Sequence, residues 1–157
     1  MRALIQRVAR ADVSVAGDEV AAIGNGLLVF LGVIQGDTER DAARLAAKTM
    51  GLRIFPDDRR PMNQSLLDTC GEVLVVSQFT LAADTRRGMR PSFTDAAPPE
   101  AAKMLYERYI ECCEQAGVSV GSGVFGAHMC VSLENDGPVT ILLDTEQPDM
   151  RGVNRHA

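Results

Sequence analysis

The run Val73-Leu74-Val75-Val76-Ser77-Gln78-Phe79-Thr80-Leu81 decides how this chain is read. Four consecutive apolar residues leave no polar face for water, so their strand is covered on both sides and lies centrally in its sheet. Polarity begins abruptly at Ser77. There a buried strand ends and gathers a hydroxyl, an amide and freed backbone N–H groups at the sheet's rim. Rims of this kind hold sites, although Ser and Thr also merely end strands, and the run alone does not decide between the two.

Outward from this strand the punctuation is all short turns. Ala3 to Val8 and Asp12 to Val15 read as strands, Gly17-Asp18 turns into Glu19 to Ile23, and Gly24-Asn25-Gly26 turns into Leu27 to Val33, giving an antiparallel meander. From Thr38, Ala42, Leu45, Ala46, Thr49 and Met50 fall at helical spacing, with Gly51 suited to a C-terminal cap. After Pro98-Pro99 a second helix carries Ala102, Leu105, Tyr109, Cys112 and Ala116 on one stripe and ends at Gly117. Ala127 to Leu133 alternates, with His128, Cys130 and Ser132 on one face, and Val139 to Leu143 supplies the last strand. About eight strands and two main helices predict an α+β fold: a curved, antiparallel-rich sheet or barrel with the helices packed on one side.

A length of 157 residues fits one domain. We expect that domain over residues 1–144, followed by a polar, mobile tail over 145–157. No apolar run reaches the roughly 20 residues of a membrane-spanning helix, and no basic leader opens the chain. The four cysteines lack paired C-x-x-C spacing, so reduced structural thiols and a cytoplasmic location are expected. A net charge of −5 argues against coating nucleic acid non-specifically, and neither DNA nor a membrane is an expected partner. Any RNA contact must be local, and the compact basic cluster is Arg86, Arg87 and Arg90, with Arg59 and Arg60 as a second pair. Read by itself, each is a solvated loop.

Exclusion narrows the chemistry. The chain has two histidines, His128 and His156, and the second sits in the polar tail, so a histidine triad has little to work with. No H-E-x-x-H, paired cysteines or Asp/Glu-His cluster suggests a metal, no G-x-x-x-x-G-K suggests a nucleotide, and no cofactor is expected. The other oddity is Asn135-Asp136-Gly137-Pro138-Val139-Thr140, where a proline heads a strand; from these residues alone it is a plain turn.

Together, Ser77-Gln78-Phe79-Thr80-Leu81 and Asn135-Asp136-Gly137-Pro138-Val139-Thr140 resemble the signature pair of the D-aminoacyl-tRNA deacylase family, once called D-tyrosyl-tRNA deacylase. The likeness runs from Ala3-Leu4-Ile5-Gln6-Arg7-Val8 through Gly26 to Val33, Arg53 to Phe55, Leu74 to Thr85, Arg87 to Phe93 and Phe125 to Met129, covering residues 1 to about 144.

The resemblance implies a homodimer acting on the acceptor end of aminoacyl-tRNA. Ser77, Gln78, Phe79 and Thr80 would line a pocket that a cis Gly137–Pro138 bond enters from the partner subunit. The carbonyls of that dipeptide would face the amino group and Cα of the substrate and exclude an L side chain, while glycine would be admitted. The backbone N–H groups of Phe79 and Thr80 would hold the oxyanion, and Gln78 would orient the ribose or carbonyl. The Thr80 hydroxyl as nucleophile lacks a visible base. Phe125 and Met129 would wall the adenosine side, and Arg86, Arg87 and Arg90 would take acceptor-stem phosphates. Two rivals are a non-catalytic acidic dimer that binds tRNA or another protein, and a general esterase, which the missing histidine and G-x-S-x-G elbow disfavour.

Overall fold

The computed structural model describes residues 1–147. It contains strands β1 (Arg2–Val15), β2 (Asp18–Ile23), β3 (Gly26–Gly32), β4 (Glu72–Ser77), β5 (Ser119–Ser122) and β6 (Met129–Asp144), and helices α1 (Glu39–Gly51), α2 (Leu66–Thr69) and α3 (Pro99–Gln115). The strands form one mixed sheet in the order β2-β1-β3-β4-β5, with β6 on the other side of β1. It is an α+β fold, as the sequence predicts.

Six strands replace the expected eight because both ends of the chain run on. β1 continues through Ala9 and Arg10, where no glycine or proline breaks it, and β6 pairs antiparallel with it on both sides of an excursion at residues 136–139. The expected N-terminal meander is also corrected. β2 and β3 both lie antiparallel to β1 in one register, Ala11 opposite Ile23 and Val8 opposite Gly26, so Gly24-Asn25 interrupts a strand and does not reverse it. Glu72 fills that interruption: its carboxylate accepts from Gly24 N (2.8 Å), and its own N–H donates to Asn25 O (3.2 Å).

β4 runs parallel to both β3 and β5, which requires the long crossovers that carry α1 and α3. β4 is covered twice, as its composition predicts. Val73 and Val75 join Leu27, Val29 and Leu31 beneath the helices, while Leu74 and Val76 join Leu28, Val8 and Val13 in a second core inside the curve of the sheet. That curve almost closes: a Cβ built on Gly121 of β5 would lie 3.4 Å from Ala21 Cβ of β2.

Every residue expected on the buried stripe of α1 is buried. Gly51 is the last residue of that helix and not a left-handed cap; Leu52 follows in extended conformation. In α3 the buried set is Leu105, Tyr106, Tyr109 and Cys113, so the stripe is rotated from the expected one and Cys112 is only half-buried. Burial pushes the Cys113 thiol up to about 12. Gly117, at φ +85, stops the helix. The short α2 was absent from the expectation although Ser65-Leu66-Leu67-Asp68 has capping-box form: Asp68 accepts from Ser65 N and Oγ (2.8 and 2.7 Å). Thr145, where the expected tail begins, is buried and its N–H bonds Met1 O (3.0 Å). From residue 148 that tail, including His156, lies outside the described residues.

Gly26 shows how tightly β3 and β4 meet, because an added Cβ would lie 1.9 Å from the Glu72 carbonyl oxygen. Gly26→Ala is therefore expected to cost about 3 kcal/mol or more, an overpacking penalty at the top of the usual range. The shift of the urea midpoint at unchanged m-value measures it.

Candidate active site

β4 leaves the sheet at Ser77, and the chain turns at once into one 3-10 turn, Phe79–Ala82. Gln78 N still donates to Leu31 O (2.8 Å), after which Leu81 N bonds Gln78 O (3.2 Å) and Ala83 N bonds Thr80 O (3.0 Å). Within the described residues the N–H groups of Phe79 and Thr80 donate to nothing, as the first donors of a helical turn have no carbonyl behind them. Gly32 lets the turn sit this close: its Cβ would lie 2.9 Å from Gln78 O.

Beside this turn a cavity of about 490 Å³ opens between the sheet, the start of α3 and residues 125–131. Ser77, Gln78, Phe79, Phe125 and Met129 all line it. The walls are mostly apolar, completed by Leu31, Val76, Ala102 and Val131 among others. Gly123 leaves room for Met129, whose sulfur would sit 2.6 Å from a Cβ there. Tyr106 also lines the cavity; its hydroxyl donates to Val75 O (2.8 Å), its ring packs on Phe125 at 5.7 Å, and burial pushes its pKa up to about 12. At helical spacing a Tyr here looks like any core residue, so the sequence held no signal for it.

Thr80 is exposed, and its hydroxyl oxygen lies 2.5 Å from Gln78 Nε2, which donates to it. An amide N–H cannot accept a proton, so this contact orients Thr80 without activating it as a nucleophile. His128 is exposed, next to Met129. Among the described residues no group of three or more His, Cys, Asp or Glu is placed to hold a metal, and no helix is long and apolar enough to cross a membrane.

Gly137 and Pro138 do not line this cavity in their own chain. Their peptide bond is cis, and both residues are exposed in an excursion of β6 where residues 136–139 stand opposite Arg7 alone. The excursion is held tightly. Asn135 spans it, accepting from Val139 N and donating to Val139 O (both 3.0 Å). The buried Arg7 donates from Nε to Asp136 O (2.9 Å), approaches the Asp136 carboxylate at 3.0 Å, and donates from Nη1 to Ile54 O (2.5 Å). Gly137 has no room for a side chain, since a Cβ would meet Val139 N at 2.2 Å. Arg7 is another residue the sequence reading missed; its place on the strand face of Ala3 and Ile5, at the next alternate position, was the available signal.

Arg86, Arg87 and Arg90 sit on a separate hairpin closed by two bonds between Asp84 and Ser92 (2.8 and 2.9 Å). Arg86 grips the Asp84 carboxylate with Nε and Nη2 (2.8 and 2.7 Å), and this fork holds that carboxyl far below the usual range. Arg87 and Arg90 are exposed.

A family model described as D-Tyr-tRNA(Tyr) deacylase matches residues 4–144. A D-aminoacyl-tRNA deacylase of Roseiflexus castenholzii is 61% identical over 145 residues, 92% of each chain, and one of Thermotoga petrophila is 58% identical over 94% of this chain and 99% of its own. Among solved structures, a c-Myc DNA unwinding element binding protein superposes with TM-score 0.85 at 38% identity, covering 92% of this chain and 98% of that one. A probable eukaryotic D-amino acid tRNA deacylase superposes with TM-score 0.79 at 19% identity over 90% and 97%, a likeness of fold.

Arg7→Met keeps an unbranched apolar stem and removes the guanidinium whose hydrogen bonds tie Ile54 to Asp136. We expect a loss of about 2–3 kcal/mol, the usual worth of charged hydrogen bonds, read by urea unfolding. Faster protease cleavage near residues 136–138 should accompany it.

Proposed function

The chain belongs to the D-Tyr-tRNA(Tyr) deacylase family of hydrolases, and on that premise we propose that it cleaves the ester of D-aminoacyl-tRNA at the cavity beside Phe79. The observation that carries this reading is that Phe79 lines an apolar cavity offering no side-chain base, and that its N–H and that of the next residue, Thr80, have no partner among the described residues. An aminoacyl ester on ribose is already activated, and the vicinal hydroxyl of the substrate can serve the attacking water. The protein need only hold the ester and stabilise the oxyanion. Gln78, on the cavity wall with its amide already placed by Thr80, orients the ribose or the carbonyl. Phe125 and Met129 take the adenosine, and the hairpin arginines take acceptor-stem phosphates. The reaction is metal-free and its products are tRNA and the free amino acid.

Selection against L substrates is assigned to Gly137 and Pro138 of a second subunit. Three features support a dimer in which that dipeptide enters the partner's cavity. The dipeptide is exposed and braced, yet absent from its own chain's cavity. Among the described residues β6 pairs with β1 alone, leaving an open strand edge. Across the sheet face turned away from the helices, Phe30, Leu4 and Leu142 stand in one row, and Leu142 is 49% exposed. In that dimer the Gly137 and Pro138 carbonyls crowd the Cα side where an L side chain projects. Glycine, having no side chain, passes, so mischarged glycyl-tRNA is a substrate as well.

The test is release of amino acid from D-tyrosyl-tRNA and L-tyrosyl-tRNA in parallel, with substrate in excess and EDTA present. Many turnovers of the D ester alone are expected. Equal turnover of both would indicate a general esterase, and none would indicate a binding protein. Thr80→Ala should keep more than about a tenth of kcat/KM, because only loss of an oxyanion donor costs the usual hundred- to thousandfold. Pro138→Ala should admit L-tyrosyl-tRNA.

A further inference from the structure

Phe93 joins two parts of the molecule that the hydrolase reading treats separately. Phe79, at the cavity rim, is 60% exposed, and its ring is held edge-on by Phe93 at 5.0 Å and 65°. Phe93 directly follows Ser92, the residue that closes the arginine hairpin against Asp84. The hairpin's other stem, Asp84, lies two residues past the 3-10 turn that Phe79 opens. Both roots of the hairpin therefore reach the rim, one through the chain and one through an aromatic contact.

The hairpin is built as an arm. Arg86 is occupied by Asp84 and braces it from within, whereas Arg87 and Arg90 are exposed and form no salt bridge among the described residues. Gly88, at φ +71, turns the tip. Just beyond Phe93 the chain is fixed to the end of β3: Gln35 N donates to Asp95 O (2.9 Å) and Ala97 N to Val33 O (3.1 Å). A pull on the tip is thus resisted at residue 95 and passes into the Phe93 ring.

We propose that Phe93 is a positioning residue that couples the arm, seated on polynucleotide phosphates through Arg87 and Arg90, to the rim segment Gln78–Thr80. The inference rests on the hydrolase reading of the same cavity. Phosphate contacts far from the ester then align the reacting carbonyl, and a substrate without those phosphates loses kcat as well as affinity. Misplacement at the rim of about 1 Å is enough to change the rate on the order of a hundredfold.

The experiment compares kcat and KM on D-tyrosyl-tRNA with those on the 3′-O-D-tyrosyl ester of adenosine, which has the reacting group and no acceptor stem. The readout is the ratio of the two kcat values. In the wild-type protein the ratio is expected to be about 10 or more, falling towards one in Phe93→Leu and in the double variant Arg87→Ala/Arg90→Ala, with Phe93→Tyr keeping most of it. A wild-type ratio near one, or a ratio unmoved in either variant, would overturn the coupling. So would an arginine variant that raises only KM. The exposed arginines keep the test decisive if Phe93→Leu fails to fold. A wild-type protein inactive on both esters would instead overturn the hydrolase reading, and this inference with it.

Discussion

The parallel pairing of Gly26–Leu31 with Glu72–Ser77 is the constraint from which the rest of the architecture follows. Strands apolar on both faces must be covered on both, so the crossovers deliver α1 and α3 to one side and the sheet curls over the other. The pair closes tightly enough that Gly26 has no space for a methyl group. Where the pairing stops, at Leu31 opposite Ser77, the backbone must find new partners. It does so for Gln78, Leu81 and Ala83, and among the described residues leaves the N–H groups of Phe79, on the cavity wall, and of its neighbour Thr80 without partners. The candidate site is the place where a doubly buried strand runs out of ladder.

A second buried interaction organises the other half of the proposed machinery. Arg7 stands on the β1 face that carries Ala3 and Ile5, and its guanidinium meets Ile54 O and Asp136 instead of water. Its hydrogen bonds compensate the desolvation of the charge, and they also fix where the Gly137–Pro138 excursion leaves the sheet. The role proposed for this loop, steric exclusion of one enantiomer, requires stiffness, because a yielding carbonyl would make room for either side chain. The Asn135 bridge ties the two ends of the loop together, and the Arg7 brace holds Asp136 between them.

Much of this was legible in the sequence. The burial of Val73–Val76, the stripe of α1 and the alternation around His128 are statements about faces, and hydrophobic period reports faces directly. Pairing partners are not encoded that way. Gly24-Asn25 looks the same whether it reverses a strand or interrupts one, and only the continuous register against β1 distinguishes them. Ser77, Gln78, Phe79, Phe125 and Met129 line one cavity, whereas Thr80, Gly137 and Pro138 are not among its lining residues. The parts played by Tyr106, Arg7 and Phe93 stayed hidden because each depends on a contact distant in sequence: Val75, Asp136 and Phe79.

The central claim is that the rim of one subunit works under the Gly137–Pro138 gate of the other. Co-expressed mixed dimers test it directly, pairing a Pro138→Ala chain with an excess of a chain that keeps its gate but is disabled at the rim by Gln78→Ala. In trans, every working rim then faces an intact gate, so hydrolysis of L-tyrosyl-tRNA should collapse while that of D-tyrosyl-tRNA persists. Unchanged L-tyrosyl-tRNA hydrolysis in verified mixed dimers would contradict the account, because each Pro138→Ala chain would then be guarding its own cavity.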